Sequence, residues 1–389
     1  MNLLFYIALF FAIFINTSMG TAMGFANPLI PLLPMMLYLV LSLLTQKMHY
    51  NKIAVYLLIL AAIILVFKWS IGQNYIIEAG RFLIIPMCMM ICFDNMTKKQ
   101  AATLRYLMII FFILLCVLAM AEKALNRHFF PISQDIEWIS SVGYFRSASL
   151  LWHPLGGGFF VAIFMSFISV TDFKKKYLQI FLFFLGYIAL FCFDARGATL
   201  VTTFVVLPYF LLKLYKMAGK QRWMIIFGVI CVLGGLVYLI METSLGGGRL
   251  LNADLLDNSS QTRLDVFNFY KHYKHVDDFI WGHHDNYNYM MEALGAGGVE
   301  NGIIVMILFY GIIFTPFILL LLFLLQYKSL SVYTKFDKWM LLFVFFGIGC
   351  MNTNLAAPLM WQLWIFTYYT FKPGLTTDTQ WALRTSLIQ

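Results

Sequence analysis

Apolar residues run through this chain in long blocks, and polar residues collect in the gaps between them. The blocks fall near 2–20, 27–44, 53–68, 75–93, 104–121, 154–170, 177–193, 198–215, 223–241, 302–326, 338–351 and 356–371. None alternates with the period of two that a strand would show, and most are long enough for an α-helix across a bilayer. Backbone groups in lipid must be satisfied within the segment, so each block predicts a helix. The pattern predicts an all-α polytopic membrane protein of about 12 transmembrane helices forming one domain over 1–389. Two long segments interrupt it, near 122–153 and, between spans 9 and 10, 242–301.

Composition agrees with the pattern. Of 389 residues, 61% are hydrophobic and 12% charged, and the mean hydropathy is +0.81. A water-soluble domain cannot hide that much apolar surface. The first twenty residues, MNLLFYIALFFAIFINTSMG, lack a basic leader and an Ala-x-Ala site, and read as a retained span. The six cysteines all sit in apolar blocks without Cys-x-x-Cys spacing, as small packing residues do. The net charge of +9 lies in no basic stripe interleaved with aromatics, so no nucleic-acid partner is expected.

The charge reports sidedness instead. Lys47 and Lys52, Lys98 and Lys99, Lys174 to Lys176, Lys213, Lys216, Lys220 and Arg222, then Lys328, Lys335 and Lys338 mark every even gap. The positive-inside rule places those gaps and both termini in the cytoplasm, and the odd gaps outside.

Three outer stretches hold polar groups that lipid does not explain. FRSASLLWHPLGGGFF (145–160) carries Arg146, His153 and three glycines opening a helix. Its plain reading is an interfacial arginine with glycines for close helix packing. FCFDARGATL (191–200) places Arg196 on the side the charge rule disfavours. A snorkelling arginine, or one paired with Asp194, is the plain alternative. TRLDVFNFY (262–270) supplies Arg263, and WGHHDNYNYMMEALGAGG (281–298) supplies His283, His284, Asp285 and Tyr287 directly before the tenth span. Solvated polar surface is the ordinary reading of such loop residues. Glu78 and Arg81, at i,i+3 spacing near the outer start of span four, read as an internal ion pair or as cavity lining.

Together these stretches resemble the O-antigen polymerase and O-antigen ligase superfamily of bacterial envelope glycan enzymes. The likeness rests on Arg146 followed by His153, Pro154 and Gly157, with Leu155 where the family has Asn. It rests further on Ala195-Arg196-Gly197, with Ala for Ser, and on Arg263, then His284, Tyr287, Gly295 and Gly298, with Asp285 where Asn is common. It covers roughly residues 140–310. The resemblance implies a glycosyltransferase in the inner membrane that moves glycan from an undecaprenyl-pyrophosphate donor to a sugar hydroxyl at the periplasmic face. Arg196 and Arg263, with Arg146 as a third, would hold the pyrophosphate. His284 would serve the acceptor hydroxyl, and His283, Asp285, Tyr287, His153, Glu78 and Arg81 would line the site. Expected partners are the lipid-linked oligosaccharide, inner-membrane lipid, a chain-length regulator protein and a flippase. No cofactor is expected. Nor is a metal, since adjacent His283, His284 and Asp285 do not converge as ligands and no Asp-x-Asp pair is present.

Polymerase and ligase differ in acceptor. Between 242 and 301 four basic residues stand against nine acidic ones, a charge of −5. That suits a neutral sugar acceptor better than anionic lipid A-core. A transporter or flippase is the competing class, although its polar groups belong near the midplane rather than at one face.

Overall fold

The computed structural model describes residues 2–25, 27, 29–45, 49–132, 145–173, 175–217, 234, 276–283, 285–294 and 299–374. Among them the regular structure is helical throughout, without a strand. In chain order the helices are α1 (Asn2–Ile15), α2 (Ser18–Ala22), α3 (Ile30–Thr45), α4 (Lys52–Ser70), α5 (Ile76–Asp94), α6 (Lys98–Leu125) and α7 (Pro154–Val170). Then come α8 (Lys176–Phe193), α9 (Arg196–Lys216), α10 (Val276–Trp281), α11 (Asp285–Leu294), α12 (Gly302–Ser329), α13 (Lys335–Cys350) and α14 (Pro358–Phe371). Six helices are long and apolar enough to cross a membrane: α4, α5, α6, α8, α9 and α12 with its continuation to Val332. The protein is all-α and has the build of a multi-pass membrane protein.

Helices occupy the apolar blocks, apart from the ninth, 223–241, which lies outside the described residues except for Gly234. Two boundaries differ from the sequence pattern. The block 2–20 is not one helix: Thr17 adopts an extended conformation and caps α2, accepting a bond from Met19 N. The block 104–121 extends at both ends into α6. Thr97 and Gln100 form a capping box at its start, and Asn126 closes it in the left-handed region, φ 48°. At 28 residues α6 is about 42 Å long, more than a hydrocarbon core of about 30 Å needs, so polar residues can sit on its ends.

The centre of the bundle is α7, in which every residue but Leu155 is buried. A helix apolar on all sides belongs inside a larger bundle, and α6, α8, α9, α13 and α14 pack around it. Aromatic pairs fill the spaces, including Phe112 on Phe164 at 4.3 Å and Phe183 on Phe210 at 4.0 Å. The first and last helices meet through Asn16 Nδ2, which donates to Gln362 Oε1 at 2.7 Å in the buried interior.

Helix termini gather at two ends. At the lysine-rich end Lys372 pairs with Asp94 at 3.0 Å, and Tyr369 donates to the same carboxylate at 2.6 Å. Lys213 pairs with Asp172 at 3.3 Å, Tyr209 donates to Asp337, and Arg105 Nε donates to Thr370 O at 2.9 Å. The opposite, mixed-charge end holds the termini of α1, α4, α6, α8 and α13 and the starts of α5, α7, α9, α12 and α14.

Candidate active site at the mixed-charge end

The segment 145–153 was expected to be part of an outer loop, yet residues 146–151 are buried. They form an irregular strap lying across the ends of the helices. Unpaired backbone groups there would each cost roughly 1–3 kcal/mol, so each needs a partner. Glu122, fully buried, accepts bonds from Ala148 N at 3.0 Å and Ser149 N at 2.9 Å through Oε2, and from Phe129 N at 3.1 Å through Oε1. Lys123 Nζ donates to Phe145 O at 2.8 Å. Ser147 N donates to Cys192 O at 3.1 Å, and Ser18 N to Leu150 O at 2.9 Å. The hydroxyls of Ser147 and Ser149 donate to Ala119 O and Leu115 O on α6.

This strap delivers Arg146. Its guanidinium is buried, and Nη2 donates to Asp194 O at 3.1 Å. Asp194 closes α8 in the left-handed region, φ 48°, and two residues later Arg196 begins α9, half-buried. Arg146 therefore bonds the turn from which Arg196 starts α9. The glycines of the first stretch let α7 approach that turn closely. A Cβ on Gly157 would fall 2.3 Å from the Phe193 ring, and one on Gly158 2.3 Å from Ala195 Cβ. Only glycine lets the start of α7 seat against the 193–195 turn. His153 caps that start, its Nδ1 accepting from Leu155 N at 3.1 Å. Asn354 completes the corner, donating to Leu155 O at 2.9 Å from the turn before α14.

A second assembly forms where α10 and α11 dock on α12. Helix α12 is broken at Gly311 (φ 76°, ψ 169°), and Pro316 removes a further intrahelical donor. The carbonyls freed there find new donors. Leu308 O accepts from His283 N at 2.9 Å, and Phe309 O accepts from Tyr75 OH at 2.8 Å. Gly282 (φ 74°) faces Gly311 so closely that a Cβ on Gly311 would lie 2.2 Å from Ile280 O. Lys68, fully buried, donates to the carbonyls of Trp281 and Gly282 and to Gln73 Oε1, with its ammonium 4.3 Å from the centre of the Tyr75 ring. Burial first, then Tyr310, Glu78, Asp285 and Asp278, push the Tyr75 hydroxyl up, so it stays a donor at neutral pH.

The expected residues are distributed between the two assemblies. Arg146, Arg196 and His153 share the first. His283, Asp285 and Tyr287 belong to the second, and Glu78, just before the π-turn Gly80–Ile84 of α5, lies within electrostatic reach of Arg81 on that turn and of Tyr75 and Tyr310. Tyr287 stacks on Phe309 at 5.9 Å, so that ring face serves packing. His283 Nδ1 accepts from Asp285 N at 3.2 Å, a turn-forming role, while the Asp285 side chain is exposed. The turn Thr353–Ala356 lies between the assemblies: Asn354 bonds α7, and Ala356 packs into the small core that Tyr287 borders. His284, Arg263, Gly295 and Gly298 lie outside the described residues. Among the described residues no group of three or more His, Cys, Asp or Glu side chains is placed to hold a metal.

Sequence reasoning missed Glu122, Lys123, Lys68 and Asn354. The signal for the first three is ionisable residues at the ends of long apolar helices, which need internal partners. Nothing local distinguishes Asn354. No protein-family model, curated protein or solved structure matches this chain.

Proposed function

We propose that the chain is a surface-polysaccharide (O-antigen) polymerase of a bacterial inner membrane, with about twelve spans, both termini cytoplasmic and the mixed-charge end periplasmic. It transfers glycan from an undecaprenyl-pyrophosphate carrier to the terminal sugar of a lipid-linked repeat unit. The observation that supports this reading is the turn at 194–196, where buried Arg146 bonds Asp194 O two residues before Arg196 starts α9. As the glycosidic bond breaks, negative charge grows on the departing pyrophosphate. A buried guanidinium at Arg146 and a half-buried arginine at the start of α9 suit that charge. Arg263 is a third clamp in this reading. His284 takes the proton of the acceptor hydroxyl, with an unperturbed pKa of about 6.5. A chain-length regulator and a flippase are its expected partners.

The acidic 242–301 region favours polymerase over ligase, since its charge of −5 repels anionic lipid A-core. A deletion strain discriminates among the readings. Loss of a polymerase leaves lipid A-core carrying single repeats, whereas loss of a ligase leaves bare core with polymer retained on the carrier. Solute uptake without glycan transfer in proteoliposomes would support the transporter class. Sidedness has its own test. A cysteine at Leu125 should label with an impermeant thiol reagent in spheroplasts and one at Lys175 should not; the reverse pattern inverts the topology.

A further inference from the structure

We infer that Glu122 and Lys123 act together as positioning residues that fix Arg146, a role that rests on the polymerase reading for its chemistry but not for its geometry. The two are consecutive on α6 and opposite in charge, and they grip the strap on either side of the arginine. Lys123 donates to the carbonyl of Phe145, immediately before Arg146. Glu122 accepts the N–H groups of Ala148 and Ser149, just after it. The polarity matches the backbone: cation to carbonyl, carboxylate to amides. Ser147 N is taken by Cys192 O, so the backbone is held on both sides of Arg146 before its guanidinium reaches Asp194 O.

The arrangement is more specific than burial of a strap requires. A carboxylate out of water needs several donors, and Glu122 has three backbone N–H groups, with His128 Nδ1 3.6 Å from Oε2. The imidazole of His128 stacks on Phe145 at 4.5 Å, reinforcing the same side of the strap. Helix α6 continues four residues past the apolar block that ends at residue 121, and those residues include both members of the clamp. Two charges there, rather than neutral polar groups, hold a flexible arginine side chain at one place through its own backbone. Preorganisation of this kind decides how well a fixed charge stabilises a transition state.

The test uses the full-length protein with its six cysteines replaced by alanine and a single reporter thiol, introduced by Ser147→Cys at a fully buried position. Glu122→Gln keeps one oxygen for the Ala148 and Ser149 amides; Glu122→Ala keeps none; Lys123→Met keeps the stem without the charge. Labelling of the reporter thiol should quicken by about tenfold in Glu122→Ala, and less in Glu122→Gln, while both proteins accumulate in the membrane. If Glu122→Ala fails to accumulate, Glu122→Gln and Lys123→Met carry the same measurement. Unchanged labelling in all accumulating variants overturns the clamp.

Glycan transfer, measured with Ser147 in place, gives the second readout. Glu122→Gln and Lys123→Met should lower the kcat of glycan transfer about tenfold and leave the KM for acceptor unchanged. Combined with Arg146→Ala, neither should lower activity further, because each acts through the arginine. An additive loss in the double variants overturns the positioning role and makes the pair general scaffold. If the parent protein transfers no glycan at all, the polymerase reading fails, and the labelling result decides the clamp by itself.

Discussion

The two ends of the bundle are built from similar residue types and differ in what those residues do. At the lysine-rich end, charged and polar side chains join helices that remain regular: Asp94 with Lys372 and Tyr369, Asp172 with Lys213, Asp337 with Tyr209. At the mixed-charge end, the buried charged side chains are committed to backbone groups of irregular segments. Glu122 holds amides, while Lys123, Lys68 and Arg146 hold carbonyls. The backbone there is irregular. The π-turns Phe11–Ile15, Gly80–Ile84 and Thr202–Val206 and the break at Gly311 all lie in the halves of their helices nearest this end. Irregular backbone inside a membrane protein is tolerated where it lines a cavity or is buried in protein, and π-turns gather at functional sites. One end staples regular helices; the other braces irregular backbone.

The comparison can be broken at several points. Under the proposed function, Arg146→Ala, which removes the charge, and Arg196→Lys, which keeps only a point charge, should each lower glycan transfer by at least about 100-fold with normal accumulation. Wild-type rates in either variant would move that residue to plain interfacial packing. Next in size, Gly311→Val should cost roughly 2–4 kcal/mol, from a positive φ together with the collision against α10. Gly72 has φ +78° but nothing within 4 Å of a Cβ, so Gly72→Ala should cost only about 1 kcal/mol. Thermal unfolding in detergent measures both, and equal losses would remove the docking argument.

Tyr75→Phe should destabilise by about 1 kcal/mol. Its hydroxyl is pushed up, so the neutral donor persists below the unfolded value of about 10 and is lost only above it. The loss should therefore be the same at about pH 6 and about pH 9, both below that value. A loss that shrinks between those two values would contradict the bond to Phe309. The smallest effect belongs to the other end. Asp94→Asn should change stability by about 1 kcal/mol or less and leave transfer unaltered. A large drop in activity would show that the ends are not divided in this way.

Much of the fold was legible because lipid leaves the chain few choices. An apolar block becomes a helix, and blocks such as 154–170 and 177–193 reappear almost residue for residue. Arg146, Arg196 and His153 are grouped in the sequence only by the family resemblance, and the structure places them around one corner where α7, α8 and α9 meet. The burial of their strap was not legible, since FRSASLLWHP is too short for a span and shows no helix or strand period to place it. Its partners come from residues far away in the chain, Ser18 and Cys192 among them. The same holds for Gly282 and Gly311, whose positive φ values make sense only once they face each other. Glycines in a loop and in a helix give no sign of being paired.

The bond from Asn16 to Gln362 joins residues 346 positions apart. Its consequence concerns biogenesis. Helices enter the bilayer in order of synthesis, so the cap of the first must wait for the last before its amide is satisfied. Ser18 must likewise wait for Leu150. Contacts of such sequence separation form slowly, because long stretches of chain must be brought together before they are rewarded. A nascent chain that stops before α14 can hold every upstream arginine and still lack the finished mixed-charge end. The finished mixed-charge end is then a property of chains that extend through α14.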